Sequence, residues 1–278
     1  MKTYTKLELI FKLEKSIDAI IKDADQNRWD ENTISSRLAQ LFAKQLNNIK
    51  ITDQIPGSNP ISIKCNVYEN KKGTRGSDEN KFGDIGIYVK IKKHGIEIEG
   101  VSFLEAKRSS KTERTNVFKE IKLDQMKRIF ENAPYSFLLL YDYKKIIIPG
   151  RESIFLDDKL PFLLSSSTGQ FERLPVWFNQ SYSFCTTVPL NLAIKLNIKS
   201  RELCRFSSFL TFQILNRFFN GYDLNFNPEL VKIAKGYSKN IQDNKLQEFE
   251  SPRYSFFFMI GGDEVEANPE VYQRINGY

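Results

Sequence analysis

The sequence predicts an α/β fold over residues 1–150, followed by a mainly helical C-terminal region over residues 151–278. Apolar residues recur at helical spacing near the N-terminus, and two strand-like runs flank a short turn in the middle of the first part. An amphipathic stretch and a continuous apolar segment follow them. Helices and strands that alternate in this way are typical of a sheet covered by helices.

Two helices are predicted before the first strand. The first covers residues 5–25, where apolar side chains repeat every three or four positions. The second begins near Asp30, because an aspartate at the N-cap can accept a hydrogen bond from a free backbone N–H of the first turn. Pro56 and Pro60 then interrupt the chain.

The central part of the chain alternates strand, loop and helix signals. Residues 69–81 (ENKKGTRGSDENK) are polar and basic and contain glycine, which predicts a surface loop. Strands are predicted at residues 61–68, 82–92, 96–107, 135–141 and 145–148, and a helix at 116–132. In the C-terminal region, residues 203–220 are helix-like and stop at Gly221, whereas residues 254–260 fit either a strand or a buried helical turn.

The composition limits the chemistry that the chain can use. The formal net charge of +7 favours polyanions such as nucleic acid, or an acidic membrane surface. The three cysteines form no CxxC or Cys/His cluster, so a zinc site or a disulfide framework is not expected. The single histidine, His94, precedes Gly95 between two strands and is interpreted as a turn residue. Catalysis is therefore expected from carboxylates and lysines.

Targeting signals and membrane spans are not expected from this sequence. The N-terminal residues mix lysines and glutamates with apolar positions, unlike a signal peptide. No apolar run approaches the length needed to cross a bilayer. The expected setting is a reducing cytoplasm, with no membrane partner.

The predicted hairpin over residues 82–107 determines its own register. With His94 and Gly95 as the turn residues, Lys93 faces Ile96, and every pair farther out follows. The resulting pairs match charge with opposite charge and apolar with apolar: Lys92 with Glu97, Lys90 with Glu99, Ile91 with Ile98, and Ile85 with Leu104. This agreement supports the register.

The same register sets Asp84 opposite Glu105, and Lys107 leaves the same face because side chains alternate along a strand. Directly opposed residues lie about 4.5–5.5 Å apart at Cβ, where two carboxylates repel each other unless a proton or a cation lies between them. A hard divalent cation such as Mg²⁺ would resolve the repulsion. The alternative is that these residues are ordinary solvated strand charges.

The motif resembles that of the PD-(D/E)xK nuclease superfamily, whose members share the restriction-endonuclease-like fold. Gly83–Asp84 is followed across the hairpin by Glu105–Ala106–Lys107, with glycine in place of the first proline, a departure that the superfamily commonly shows. The resemblance covers residues 25–148. It implies a core with a mixed central sheet flanked by helices.

The resemblance also implies residue roles. Asp84 and Glu105, with the backbone carbonyl of Ala106, would bind Mg²⁺ or Mn²⁺, and Lys107 would orient or deprotonate the attacking water. The metal would polarise the phosphate and lower the pKa of bound water. Glu31 resembles a glutamate that many members carry on the helix before the hairpin, although a first-turn acid at a helix N-terminus is an equally good interpretation. Gln125 resembles a glutamine of some resolvase-like members, although such a residue is more often simply exposed.

Basic residues flank the motif on both sides and predict a track for phosphates, with salt-dependent binding. Each residue alone would be interpreted as a solvated cation. The predicted nucleic-acid-binding residues are Lys71, Lys72, Arg75 and Lys81 before the motif, and Arg108, Lys111 and Arg114 after it.

The sequence therefore predicts a divalent-metal-dependent endonuclease that hydrolyses phosphodiester bonds. Double-stranded DNA is favoured as the partner because the resembled superfamily acts mostly on DNA, and restriction or phage defence would fit. Residues 151–278 are expected to mediate homodimerisation or substrate recognition. Two alternatives remain open: a non-catalytic nucleic-acid-binding protein on the same fold, and an unrelated α/β interaction module with a chance motif.

Overall fold

The computed structural model describes residues 1–52, 59–71, 81–93, 95–111, 118, 121–147, 182–197, 201–237 and 251–275. Within these residues, ten strands form one mixed sheet flanked by helices, so the α/β prediction is confirmed. The strands are β1 (Lys2–Thr5), β2 (Ile49–Thr52), β3 (Ile61–Asn70), β4 (Ile85–Lys93), β5 (Ile96–Arg108), β6 (Ser136–Ile147), β7 (Tyr182–Pro189), β8 (Ser208–Phe209), β9 (Tyr254–Ile260) and β10 (Tyr272–Ile275). Their order across the sheet is β1-β2-β3-β9-β4-β5-β6-β7-β8, and β10 pairs with β3.

The helices cover both faces of the sheet. They are α1 (Lys6–Gln26), α2 (Glu31–Gln45), α3 (Leu123–Asn132), α4 (Leu190–Leu196), α5 (Leu210–Phe212) and α6 (Pro228–Lys235). A π-helical stretch (Gln213–Arg217) and a 3-10 turn (Phe218–Asn220) continue α5. Helices α1 and α2 pack on one face, and α3 and α6 pack on the other. None of the helices among the described residues is long and apolar enough to span a membrane.

The two predicted N-terminal helices are confirmed, and their first residues explain where they begin. Thr5 caps α1 through a capping box with Glu8, in which the Glu8 carboxylate accepts from the Thr5 N–H at 2.8 Å. Asp30 caps α2 and accepts from the Thr33 N–H at 2.9 Å. Their buried faces join one core cluster with Ile85, Leu104 and other residues of the sheet. Helix α2 therefore presents its first turn at a fixed position beside β5.

The predicted hairpin register is confirmed at every pair from Lys93↔Ile96 to Ile85↔Leu104. The ion pairs differ in detail from straight cross-strand pairing. Lys90 Nζ lies 2.7 Å from Glu97 Oε1 and 3.6 Å from Glu99 Oε1. Lys92 instead forms an ion pair with Asp263, with Nζ 3.7 Å from Oδ2, because the long lysine side chain can reach residues outside the hairpin. His94, which was predicted to lie in the turn, falls outside the described residues.

Strand β9 is the main difference from the sequence-based picture. Residues 254–260, which fitted either a strand or a helical turn, form a fully buried strand at the centre of the sheet. It runs antiparallel to β3 and parallel to β4. Strands β7, β8 and β10 also come from the C-terminal region, and the prediction of a mainly helical region omitted these three. The predicted boundary near residue 150 lies outside the described residues.

Smaller differences have local causes. Helix α3 begins at Leu123, later than predicted, and the buried Phe118 and Ile121 precede it without helical structure. Their apolar spacing reflects burial against α3 and β6. Of the separate strand predicted at 145–148, residues 145–147 belong to β6, whose pairing with β7 shifts register between Tyr141 and Ile146. Gly221 ends the helical stretch with φ +79°, as predicted.

Candidate active site

The site lies where β4 begins and β5 ends, at the open end of the hairpin. The Asp84 N–H donates to the Leu104 carbonyl at 2.9 Å, which holds Asp84 in line with β4. The Asp84 side chain turns back toward β5, where its Oδ2 accepts from the Ala106 N–H at 2.9 Å. Its carboxylate is therefore fixed against the backbone between Glu105 and Lys107.

Gly83 explains why proline is absent from the first position of the motif. Its φ is +84°, a left-handed conformation that the proline ring forbids and other side chains rarely adopt. A Cβ at this position would also lie 2.9 Å from the Leu104 carbonyl oxygen. Glycine therefore allows the tight approach that places Asp84 beside β5.

Glu105 and Lys107 are buried, with only 2% and 7% of their surface exposed. Lys107 Nζ donates to Glu105 Oε1 at 2.5 Å. The alternate residues of β5, Leu104 and Ala106, point into the core on the opposite face. Glu105 and Lys107 therefore share one face, and their burial is inconsistent with ordinary solvated strand charges.

Both flanking helices reach this cluster. Gln125, in the first turn of α3, donates from Nε2 to Glu105 Oε1 at 2.8 Å. Glu31, in the first turn of α2, accepts from the Arg108 N–H at 3.1 Å, one residue after Lys107. All five predicted catalytic residues thus meet at one end of the sheet, although they come from three separate parts of the chain.

Two contacts fix the start of α2 against the sheet. Ser35 lies one turn after Glu31, and its hydroxyl is 2.9 Å from the Tyr141 hydroxyl of β6. Trp29 Nε1 donates to the Ser109 carbonyl at 2.8 Å, just beyond the end of β5. Because these bonds anchor α2 before and after Glu31, the Glu31 carboxylate is held near Lys107. Neither contact was predicted from the sequence.

The electrostatics of the cluster follow from placing the half-buried Asp84 carboxylate beside the buried Glu105 carboxylate. Burial and the neighbouring Asp84 carboxylate raise the pKa of Glu105 to about 8. Burial also raises the pKa of Asp84, and the Lys107 ammonium and the Ala106 N–H offset this effect only in part. Burial alone would lower the pKa of Lys107, but the carboxylates around it outweigh burial and raise that pKa. The cluster therefore favours an added positive charge.

The donor set fits a hard divalent cation. Among the described residues, no group of three or more Asp, Glu, His or Cys side chains is arranged to hold a metal ion. Mg²⁺, however, is commonly bound by one or two carboxylates together with water. Asp84 and Glu105 supply two such carboxylates, and burial keeps the pKa values of both raised although the Lys107 ammonium offsets part of that effect. These residues, with the Ala106 carbonyl, could hold Mg²⁺ or Mn²⁺.

The described basic residues flank the same end of the sheet. Lys71 follows β3, Lys81 precedes Asp84 by three residues, and Arg108 ends β5. Two of the predicted phosphate contacts are engaged within the chain: Lys71 Nζ donates to the Pro269 carbonyl at 2.5 Å, and Lys111 Nζ lies 2.6 Å from Asp25 Oδ1. The remaining predicted residues, Lys72, Arg75 and Arg114, lie outside the described residues.

Strand β9 brings one further basic residue to the site. Arg253 directly precedes β9, and the N–H of the next residue, Tyr254, donates to the Asp84 carbonyl at 3.1 Å. The sequence offers no local signal for this neighbour, because it depends on parallel pairing between strands far apart in the chain.

Comparisons with protein-family models, with curated proteins and with solved structures found no match.

Proposed function

We propose that this protein is a divalent-metal-dependent nuclease that hydrolyses phosphodiester bonds at the Asp84–Glu105–Lys107 site. The observation that supports this proposal most strongly is the convergence of two carboxylates and a buried lysine, joined by Glu31 and Gln125. A cluster this costly to bury is more readily explained by chemistry than by stability. The resemblance to the PD-(D/E)xK motif points to the same activity.

Each residue has a role that follows from its position. Asp84 and Glu105 provide the carboxylates that would hold Mg²⁺ or Mn²⁺, and the ion would supply Lewis-acid stabilisation of charge on the phosphate. Lys107 places a positive charge beside Glu105, where it can orient water and stabilise an anionic transition state. Gln125 holds Glu105 Oε1, and Glu31 adds a third carboxylate close to Lys107.

Double-stranded DNA is the proposed substrate. The chain has a formal net charge of +7, and its described lysines Lys71 and Lys81 border the site. The preference for DNA over RNA rests on analogy with the resembled superfamily. Homodimerisation through the C-terminal region, and a role in restriction or phage defence, belong to the same proposal.

The test compares DNA cleavage by the wild type with Asp84→Ala, Glu105→Ala and Lys107→Ala, at matched metal concentration. We expect each variant to lose metal-dependent cleavage at least 100-fold, because each removes a group that acts on the reacting phosphate. Glu97→Ala is the matched control, since Glu97 lies on the same strand in the solvent-exposed half of the hairpin. Full activity in the Glu105→Ala/Lys107→Ala double variant would overturn the proposal.

A further inference from the structure

Arg253 lies in a row of side chains that crosses the sheet at the candidate site. The parallel pair Ile85↔Tyr254 places the preceding residues, Asp84 and Arg253, side by side on adjacent strands, which are about 4.8 Å apart. Two backbone bonds hold this arrangement: the Tyr254 N–H donates to the Asp84 carbonyl at 3.1 Å, and the Asn70 N–H donates to the Arg253 carbonyl at 2.8 Å. Arg253 is thus the direct neighbour of Asp84, on the side away from Glu105.

The Arg253 side chain lies at the end of the sheet, beside Tyr254 and Glu69. Its guanidinium carbon is 5.4 Å from the centroid of the Tyr254 ring, and one of its nitrogens is 3.9 Å from Glu69 Oε1. Tyr254 and its cross-strand partner Glu69 belong to the face covered by α1 and α2, so the guanidinium group borders the site from the side of these helices. The Arg253 charge acts on Asp84, lowering its pKa against the larger effect of burial. A positive charge therefore lies on each side of the carboxylate pair.

The segment that carries Arg253 is rigidly packed. Ser251 and Pro252 are buried, and the Pro252 carbonyl accepts from the Tyr272 hydroxyl at 3.0 Å. Pro252 lies over Gly86, where a Cβ would come within 3.1 Å of the proline ring. Gly86 therefore leaves the space that this packing needs. An arginine on such a support keeps its position without losing much conformational freedom on binding.

The guanidinium group of Arg253 has spare hydrogen-bonding capacity. Its Nε is buried and has no acceptor among the described residues. Its nearest described carboxylate, Glu69, lies 3.9 Å from the other end of the group, too far for a hydrogen bond. The Arg253 side chain as a whole is 22% exposed, so a ligand can reach part of it although Nε itself is buried. The planar fork of arginine matches the oxygens of a phosphate group.

We propose that Arg253 binds a phosphate of the nucleic-acid backbone next to the scissile bond and so positions the substrate across Asp84. This inference rests on the proposed nuclease function and names a substrate-binding residue for that site. It also gives the C-terminal part of the chain a direct place in the active site, through β9.

The experiment measures binding of a labelled DNA duplex by fluorescence anisotropy over a series of salt concentrations, in the Glu105→Gln background to prevent cleavage. Arg253→Gln is expected to weaken binding by about 10- to 100-fold and to reduce the slope of log K against log salt by about one. Arg253→Lys should restore the slope but only part of the affinity, because lysine lacks the fork. Lys92→Gln, which removes one charge at the far end of the hairpin, should leave the affinity and the slope unchanged.

The outcomes separate this inference from the proposed function. If the wild type cleaves DNA and a folded Arg253→Gln variant binds with unchanged affinity and slope, the role of Arg253 is wrong and the nuclease stands. If the protein shows neither DNA binding nor cleavage, both proposals fall. If Arg253→Gln does not fold, Arg253→Lys decides, and wild-type affinity in that variant overturns the inference.

Discussion

The raised pKa of Glu105 predicts an unusual dependence of stability on pH in the metal-free protein. A carboxyl group whose pKa is raised in the folded state stabilises the fold below its ordinary pKa of 4.5, and this contribution is lost as the pH rises through about 8. We therefore expect the melting temperature in EDTA to fall between pH 5 and pH 9. Few other groups titrate in this window, since the chain has one histidine.

The size of the fall follows from the same shift. One pKa unit corresponds to about 1.4 kcal/mol, so the interval from 4.5 to about 8 sets an upper limit of about 5 kcal/mol. Because Asp84 shares the proton with Glu105, we expect a loss of roughly 2–4 kcal/mol. That loss corresponds to a decrease of about 5–10 °C in a chain of this size.

Differential scanning fluorimetry of the wild type, Glu105→Gln and Glu99→Gln from pH 5 to pH 9 tests this prediction. Glu105→Gln removes the titrating carboxyl group and should remove most of the fall. Glu99 is the matched control on the same strand, because hydrogen bonding to Lys235 and other contacts outweigh burial and lower its pKa. Glu99→Gln should keep the wild-type fall over this range. A fall of equal size in Glu105→Gln would refute the reasoning.

Three further predictions follow from the structure. Millimolar Mg²⁺ or Mn²⁺ should raise the melting temperature. The rise should be larger at pH 8 than at pH 6, because the metal binds deprotonated carboxylates. An equal rise in Asp84→Asn would show that the ion binds elsewhere. Gly83→Ala should lower the free energy of unfolding, measured by urea titration, by roughly 1–3 kcal/mol. Gly95→Ala is the control and should cost less. Both glycines have positive φ, but a Cβ on Gly95 would meet no atom within 4 Å. Ser35→Ala removes the hydrogen-bond partner of the buried Tyr141 hydroxyl and should lower the free energy of unfolding by roughly 1–3 kcal/mol. It should also reduce cleavage, because Glu31 would be held less firmly. Wild-type activity in Ser35→Ala would show that other contacts position α2.

The hairpin could be predicted from the sequence because its information is local. The turn at His94–Gly95 sets the register, and matching charges and apolar residues confirm it, so the opposition of Asp84 and Glu105 follows by counting. The N-cap at Asp30 is local in the same way. Glu31 and Gln125 could be placed near the site only through the resemblance, because their approach depends on how α2 and α3 pack against the sheet.

The rest of the sheet could not be predicted because its pairings are long-range. The segment YSFFFMI is apolar throughout, which is typical of a strand buried on both faces but equally of a buried helical turn. Only the complete sheet shows that it enters between β3 and β4 and sets Arg253 beside Asp84. The strands β1 and β2, at four residues each, are too short to give a periodic signal.

Cleavage of supercoiled plasmid DNA by the wild-type protein, with Mg²⁺, with Mn²⁺ and with EDTA, tests the central claim most directly. The account predicts conversion to nicked or linear DNA with either metal, and no conversion in EDTA or with Glu105→Gln under any condition. Binding of DNA without cleavage of DNA or RNA by any divalent metal would contradict the account, and would favour a nucleic-acid-binding protein that lacks catalysis.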